Sequence, residues 1–142
     1  MVHRKHILLV EDNPNDELLT IMALERSIPD ILIDVARDGL EVFDYFFSEA
    51  SDQKVLPNLI ILDLNIPKIN GIEVLKRLRA ERKTQTIPII VLTSSKEEKD
   101  IIMSSRFGAN SFIRKPVDFV EFSKITDLIG QYWLNINETV HS

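Results

Sequence analysis

The sequence predicts an α/β domain in which a doubly wound, five-stranded parallel sheet carries helices on both faces. Two observations carry that prediction. Short apolar runs rich in β-branched residues alternate five times with longer stretches of helical spacing. One of those runs, Leu59–Leu62, is apolar without a break, as strands buried on both faces are. Right-handed crossovers between such strands distribute the helices on both sides. At 142 residues the chain fits one domain with a core of its own.

The first strand is His6–Val10. Asn13-Pro14 then reads as a helix cap followed by proline at the first helical position. Asp16 and Glu17 suit the positive end of the helix dipole. Leu18, Leu19, Met22 and Leu24 to Ile28 continue the first helix until Pro29-Asp30 stops it. Ile31–Ala36 is the second strand, Arg37-Asp38-Gly39 a turn, and Leu40, Val42, Phe43, Phe46 and Phe47 mark the second helix. A polar loop, Ser48–Pro57, leads to the third strand, Leu59–Leu62. Ile72, Val74, Leu75 and Leu78 give the third helix and Ile89–Leu92 the fourth strand. The fourth helix is expected from about Lys96 to Arg106, with Gly108 just past its end as a cap glycine. Phe112-Ile113 lies in the fifth strand, and Asp118 caps a fifth helix carrying Phe119, Phe122, Ile125, Ile129, Tyr132 and Trp133. The domain is expected over 1–134, with 135–142 a flexible tail.

Composition narrows the function. Acidic residues outnumber basic ones, 22 to 17, for a net charge of −5, and only short basic clusters occur, so no nucleic-acid partner is expected. The absence of cysteine removes disulfides, zinc–thiolate sites and thiol catalysis. No apolar run is long enough for a membrane span, and Ile7–Val10 is too short for a signal-peptide core. A cytoplasmic protein is the expectation.

The chemistry lies where the strands end. Open α/β sheets bind ligands beyond the carboxyl ends of their strands. Glu11 and Asp12 follow the first strand, Asp63 the third, Thr93 and Ser94 the fourth, and Arg114 and Lys115 the fifth. Three carboxylates in one pocket need a counter-charge, and a hard divalent cation such as magnesium, with its preference for oxygen ligands, supplies it. Which of Glu11 and Asp12 binds directly and which through water stays open. A carboxylate is also a phosphoryl nucleophile, and phosphoryl transfer asks mainly for positioning and charge cancellation. Asp63 is the candidate nucleophile because its strand looks the most buried. Lys115 and the Thr93 hydroxyl would neutralise the transferring oxygens. Singly, each residue has a plainer role: Asp63 a turn former, Thr93-Ser94-Ser95 a helix cap, Lys115 a solvated strand end, Glu11-Asp12 a solubilising charge. Their joint placement against strand ends favours the chemical reading. The three histidines form no cluster and receive no metal role.

Four segments resemble the receiver domain of two-component response regulators. They are Ile7-Leu8-Leu9-Val10-Glu11-Asp12, Leu62-Asp63-Leu64-Asn65-Ile66-Pro67 with Asn70-Gly71, Pro88-Ile89-Ile90-Val91-Leu92-Thr93-Ser94, and Gly108-Ala109-Asn110-Ser111-Phe112-Ile113-Arg114-Lys115-Pro116. The resemblance spans about residues 6 to 133. It implies a flavodoxin-like receiver fold with strand order 2-1-3-4-5. It implies phosphorylation of Asp63 by a histidine kinase, and a Mg2+ site from Glu11, Asp12, Asp63 and the main-chain carbonyl of Asn65, which Mn2+ or Ca2+ would also fill. Thr93 and Lys115 match the phosphoryl-binding switch residues, and Phe112 the switch aromatic, here without a hydroxyl. The Lys115–Pro116 peptide is expected to be cis.

With no output domain expected after the fifth helix, signalling would run through protein contacts. The long loop before the third strand and the Gln131-Tyr132-Trp133-Leu134 ending resemble the small regulators that partner cyanobacterial phytochromes, so the implied donor is a phytochrome-type kinase. Phe107, Tyr132 and Trp133 are candidates for a homodimer interface on the face running from the fourth strand to the fifth helix. Two rivals were weighed. An aspartyl-nucleophile phosphatase of the haloacid-dehalogenase type carries a second Asp where this chain has Asn65, and a cap domain that is missing here. A receiver-shaped binding module that never accepts phosphate has no need of the full set Asp63, Thr93 and Lys115.

Overall fold

The computed structural model describes residues 4–138. In chain order its elements are β1 (His6–Val10), α1 (Pro14–Ser27), β2 (Leu32–Ala36), α2 (Gly39–Phe47), a 3-10 turn (Glu49–Gln53), β3 (Leu59–Leu62), α3 (Gly71–Ala80), β4 (Ile89–Thr93), α4 (Glu98–Arg106), β5 (Ser111–Arg114) and α5 (Phe119–Gly130). A π-helical segment, Gln131–Ile136, continues α5. All strand pairs are parallel, in the order β2-β1-β3-β4-β5, as the resemblance implied.

Alternation along each strand separates two cores. Leu8, Val10, Ile60, Leu62, Ile89 and Val91 face α2 and α3, where they meet Val42, Phe46, Val74, Leu75 and Leu78. Ile7, Leu9, Leu59, Ile61, Ile90 and Leu92 face α1 and α5, meeting Leu24, Ile28, Phe122 and Ile129. These strand residues are at most 3% exposed. Each such side chain contributes about 1.5–3 kcal/mol by leaving water. The central strands are thus a fixed platform. By contrast α4 buries Ser104 alone and leaves Ile101 and Ile102 exposed.

Side-chain caps start most helices, and those at Asn13 and Asp118 fall where the sequence places them. Asn13 accepts from the Asn15 and Asp16 amides, Asp38 from Glu41, Asn70 from Ile72 and Glu73, and Asp118 from Glu121. The fourth helix departs from expectation. It begins at Glu98 rather than Lys96, and Thr93, Ser94 and Ser95 do not cap it. Both hydroxyls bond ahead of the helix instead: Thr93 donates to Asp63 and accepts the Ser95 amide, and Ser95 donates to Asp100 and accepts the Glu97 amide. Gly108 does adopt the left-handed φ, +94°, expected of a cap glycine.

Arg79, at the end of α3, donates to the carbonyls of Gln85, Ile87 and Gly108 and to Asn110 Oδ1. Burial lowers its guanidinium below the ordinary value. It pins the turns that feed β4 and β5. At the opposite, amino end of the sheet, His6 Nε2 and the Tyr45 hydroxyl converge on Asp34 Oδ2 at 2.9 and 2.8 Å.

Two further expectations need correction. The Lys115–Pro116 peptide is trans, since no cis peptide occurs among the described residues. Trans is the lower-energy isomer of a prolyl bond by about 0.5–1 kcal/mol, and Lys115 reaches the carboxylates with it. The tail does not begin at 135. Burial of Leu134 and the packing of Trp133 on the core carry helical structure through Ile136; residues 139–142 lie outside the described residues. Among the described residues no helix is long and apolar enough to cross a membrane.

Candidate functional site at the carboxyl edge of the sheet

Strand ladders run one residue beyond the strands and so fix the polar side chains that follow. The Glu11 amide bonds Ala36 O, the Asp63 amide bonds Val10 O, and the Lys115 amide bonds Thr93 O, at 3.0, 3.0 and 2.8 Å. Glu11, Asp63, Thr93 and Lys115 therefore meet at one edge, all of them buried.

Asp63 is the centre. Its Oδ1 accepts from the Thr93 hydroxyl at 2.8 Å and from the Asn65 amide at 2.9 Å. Its Oδ2 accepts from Lys115 Nζ at 2.6 Å. Thr93 is fully buried, and its own oxygen receives the Ser95 amide and Asn65 Nδ2 at 3.3 and 3.4 Å. The carboxylate is thus oriented through both oxygens by groups on β4, on the loop after β3 and beyond β5.

Lys115 also donates to Glu11 Oε1 at 2.6 Å and to Asp16 Oδ2 at 2.9 Å. Burial alone would lower its ammonium, but the Asp63 charge and the bonds to Asp63, Glu11 and Asp16 outweigh it and hold the group above its ordinary value. Glu11 is raised as well, which for a carboxyl disfavours the charged form. Burial pushes it up from 4.5 to about 7, and the Asp63 charge adds to this against the lowering pull of Lys115. One cation facing three carboxylates leaves the site short of positive charge.

That shortage bears on a metal. Among the described residues no three acidic or histidine side chains form a ready cage. Glu11 and Asp63 are drawn onto Lys115 instead, and Asp12 stays exposed at the rim. The donors are nonetheless all hard oxygens with unbalanced negative charge, which is the chemistry a divalent cation of the magnesium type requires. The residues fit such an ion once Glu11 or Asp63 turns from the lysine.

Of the other sequence candidates, Phe112 is half-buried against the core on the α2 and α3 side, as are Phe107 and Ala109. Lys76 Nζ lies 4.5 Å from the centre of the Phe107 ring. Tyr132 is 49% exposed, and its ring meets Trp133 edge-to-face at 5.1 Å, with Trp133 turned toward the core. None of these four makes a polar contact with the carboxylate cluster. The residue that sequence reading missed is Asp16. As the third residue of α1 it looks like an ordinary dipole-favoured acid, and its lysine partner is 99 positions away.

Comparison with known proteins agrees with this geometry. The family profile described as response regulator receiver domain matches residues 7–127. The probable methanogenesis regulatory protein FilR2 of Methanothrix harundinacea is 34% identical over 94% of this chain and 86% of its own length. Response regulator Rcp1 of Synechocystis sp. is 35% identical over 92% of this chain and 89% of its own. The crystal structure of Rcp1 in its Mn(2+)-bound form superposes with a TM-score of 0.91 at 33% identity, covering 96% of this chain and 99% of that one. The phosphorylated cyanobacterial phytochrome response regulator RcpA superposes with a TM-score of 0.93 at 34% identity, covering 98% of this chain and all of that one. Sheet order, the Asp63-centred cluster and a profile match over most of its length together make this chain a member of the response regulator receiver domain family.

Proposed function

We propose that the chain is a single-domain response regulator whose Asp63 accepts a phosphoryl group from the phosphohistidine of a sensor kinase. The observation that carries the reading is the orientation of a buried Asp63 by Thr93 and Asn65 on one oxygen and Lys115 on the other. An Asp63 oxygen attacks phosphorus, the kinase's N–P bond breaks, and the freed imidazole takes up a proton. Lys115 and the Thr93 hydroxyl turn to the phosphoryl oxygens and share their charge. Glu11, Asp12, Asp63 and the Asn65 main-chain carbonyl would hold Mg2+, which neutralises part of the charge on the transferring group. The Mn(2+)-bound Rcp1 structure supports a divalent site of this kind. The chain is a phosphoacceptor that assists its own phosphorylation and dephosphorylation, not a turnover enzyme.

The donor we infer is a phytochrome-type light-sensing kinase in the cytoplasm, supported by the similarity to RcpA. Output runs through protein contacts, including a homodimer formed on the β4 to α5 face with Phe107, Tyr132 and Trp133. The Thr93 hydroxyl, already on Asp63, passes to the phosphoryl group, and Phe112 is the aromatic whose packing responds. The test is intact-mass spectrometry after incubation with acetyl phosphate, with and without Mg2+, beside Asp63→Asn. One magnesium-dependent phosphoryl adduct, absent from the variant, is expected. No adduct under any condition refutes the reading.

A further inference from the structure

A lysine ammonium has three N–H donors and no acceptor. Lys115 spends all three on carboxylates: Glu11 at 2.6 Å, Asp63 at 2.6 Å and Asp16 at 2.9 Å. Phosphorylation turns Asp63 from a carboxylate into an acyl phosphate and passes its lysine bond to a phosphoryl oxygen set further out, so Lys115 shifts and one of its other two contacts yields. The three are not equal. The side chains of Glu11 and Asp63 are 3% and 5% exposed, while that of Asp16 is 27% exposed. A buried carboxylate that loses its cation has no water to turn to, whereas Asp16 regains hydration on release. Its contact is also the longest. Its backbone is held independently, with the amide on Asn13 Oδ1 at 3.0 Å and the carbonyl on the Thr20 hydroxyl at 2.7 Å. The side chain can therefore swing away and leave the turn held by these bonds alone, intact but freer to open.

We propose that Asp16 is the displaceable partner of Lys115: a positioning residue that holds the ammonium at Asp63 and lets go when Lys115 turns to a phosphoryl group there. The inference rests on the phosphoacceptor reading of Asp63. It has a consequence for the fold. The Asp16–Lys115 contact ties the first turn of α1 to the end of β5, and the tie exists only while Asp63 is unmodified. The start of α1, which leads into the exposed Leu18 and Met22, then reports the state of Asp63.

The test uses the full chain and beryllofluoride with Mg2+, a non-covalent mimic of the acyl phosphate. Asp16→Asn removes the competing charge without changing shape and is expected to bind beryllofluoride about fivefold more tightly than wild type, the size of one partly exposed ion pair. Asp16→Glu, which keeps the charge, is expected to return toward wild type. In wild type, beryllofluoride is expected to speed amide exchange in the first turn of α1. In Asp16→Asn that exchange is already fast and does not respond. Equal or weaker binding by Asp16→Asn, or α1 exchange that ignores beryllofluoride in wild type, overturns the inference alone. A wild type that takes neither beryllofluoride nor a phosphoryl group from acetyl phosphate overturns the phosphoacceptor reading and this inference with it.

Discussion

Replacing Glu11 with Gln tests whether the site lacks positive charge. The Glu11 side chain is 3% exposed, and its carboxyl is raised from 4.5 to about 7. Between those values the folded chain keeps a proton that the unfolded chain has lost, so stability falls as pH rises through the window. The gap from 4.5 to about 7, at about 1.36 kcal/mol per pH unit, amounts to about 3 kcal/mol. Glutamine is neutral at every pH and has the same shape. It keeps the acceptor for Lys115 but loses the bond from the Asn13 amide, at a cost of about 1 kcal/mol. At pH 5, where wild type has already lost about 0.7 kcal/mol, the two are therefore expected to be nearly equal in stability, and at pH 8 the variant about 2 kcal/mol more stable. Urea unfolding in chelator, at pH values from 5 to 8, reads both the crossing and the slope. Wild type and Glu11→Gln with the same pH slope would refute the charge argument. Millimolar Mg2+ should then raise the stability of wild type at pH 8 more than that of the variant, because only wild type has the extra carboxylate.

Other perturbations follow from the same geometry. Lys115→Met strands Glu11 and Asp63 without a cation and should cost about 3–5 kcal/mol at pH 8, less at pH 5 where Glu11 takes up a proton; a loss under about 1 kcal/mol at pH 8 would show that the ammonium is not the needed counter-charge. Arg79→Met keeps the aliphatic stem but removes donors to four acceptors, for a loss of at least about 2 kcal/mol and faster amide exchange at Ile89 and Asn110. Unchanged exchange at those amides would sink that account. Gly71→Ala places a methyl group 3.0 Å from Asp63 O and against Leu64, so it should cost about 1–3 kcal/mol and slow phosphoryl uptake from acetyl phosphate; an unaltered rate would show that the loop after β3 yields without moving Asp63.

Much of this was legible in the sequence because it obeys local rules. Unbroken apolar runs mark β1, β3 and β4, Ile7–Val10, Leu59–Leu62 and Ile89–Leu92, and Asn13-Pro14 and Asp118 cap helices by their own backbone geometry. The meeting of Glu11, Asp63, Thr93 and Lys115 followed from one topological rule about strand ends. What failed depended on distant partners. Thr93 was open to use as a helix cap until Asp63 claimed its hydroxyl. Asp16 looked like a dipole acid because nothing nearby in sequence points to Lys115. The helical structure through Ile136 depends on Trp133 and Leu134 finding a core that α1 and α5 only jointly provide.

On the proposed phosphoacceptor reading, the distribution of burial decides where a signal at Asp63 would go. Leu8, Val10, Ile60, Leu62, Ile89 and Val91 are fully buried, so shifting β1, β3 or β4 would break contacts worth several kcal/mol at each position. The bonds that a phosphoryl group rearranges are worth only about 1–3 kcal/mol each. They are too weak to move the platform and strong enough to move what is lightly held. Two such elements adjoin the site: α4, which buries Ser104 alone, and the Asp16 side chain at the start of α1. Arg79 fixes the far end of α4 through Gly108, so motion is directed to its near end, where Ser95 and Asp100 meet. Among the helices, α4 should show the fastest amide exchange in the unmodified protein. Protection of α4 equal to that of α3 would mean that the sheet edge and its helices move together, and that burial does not select the responding element.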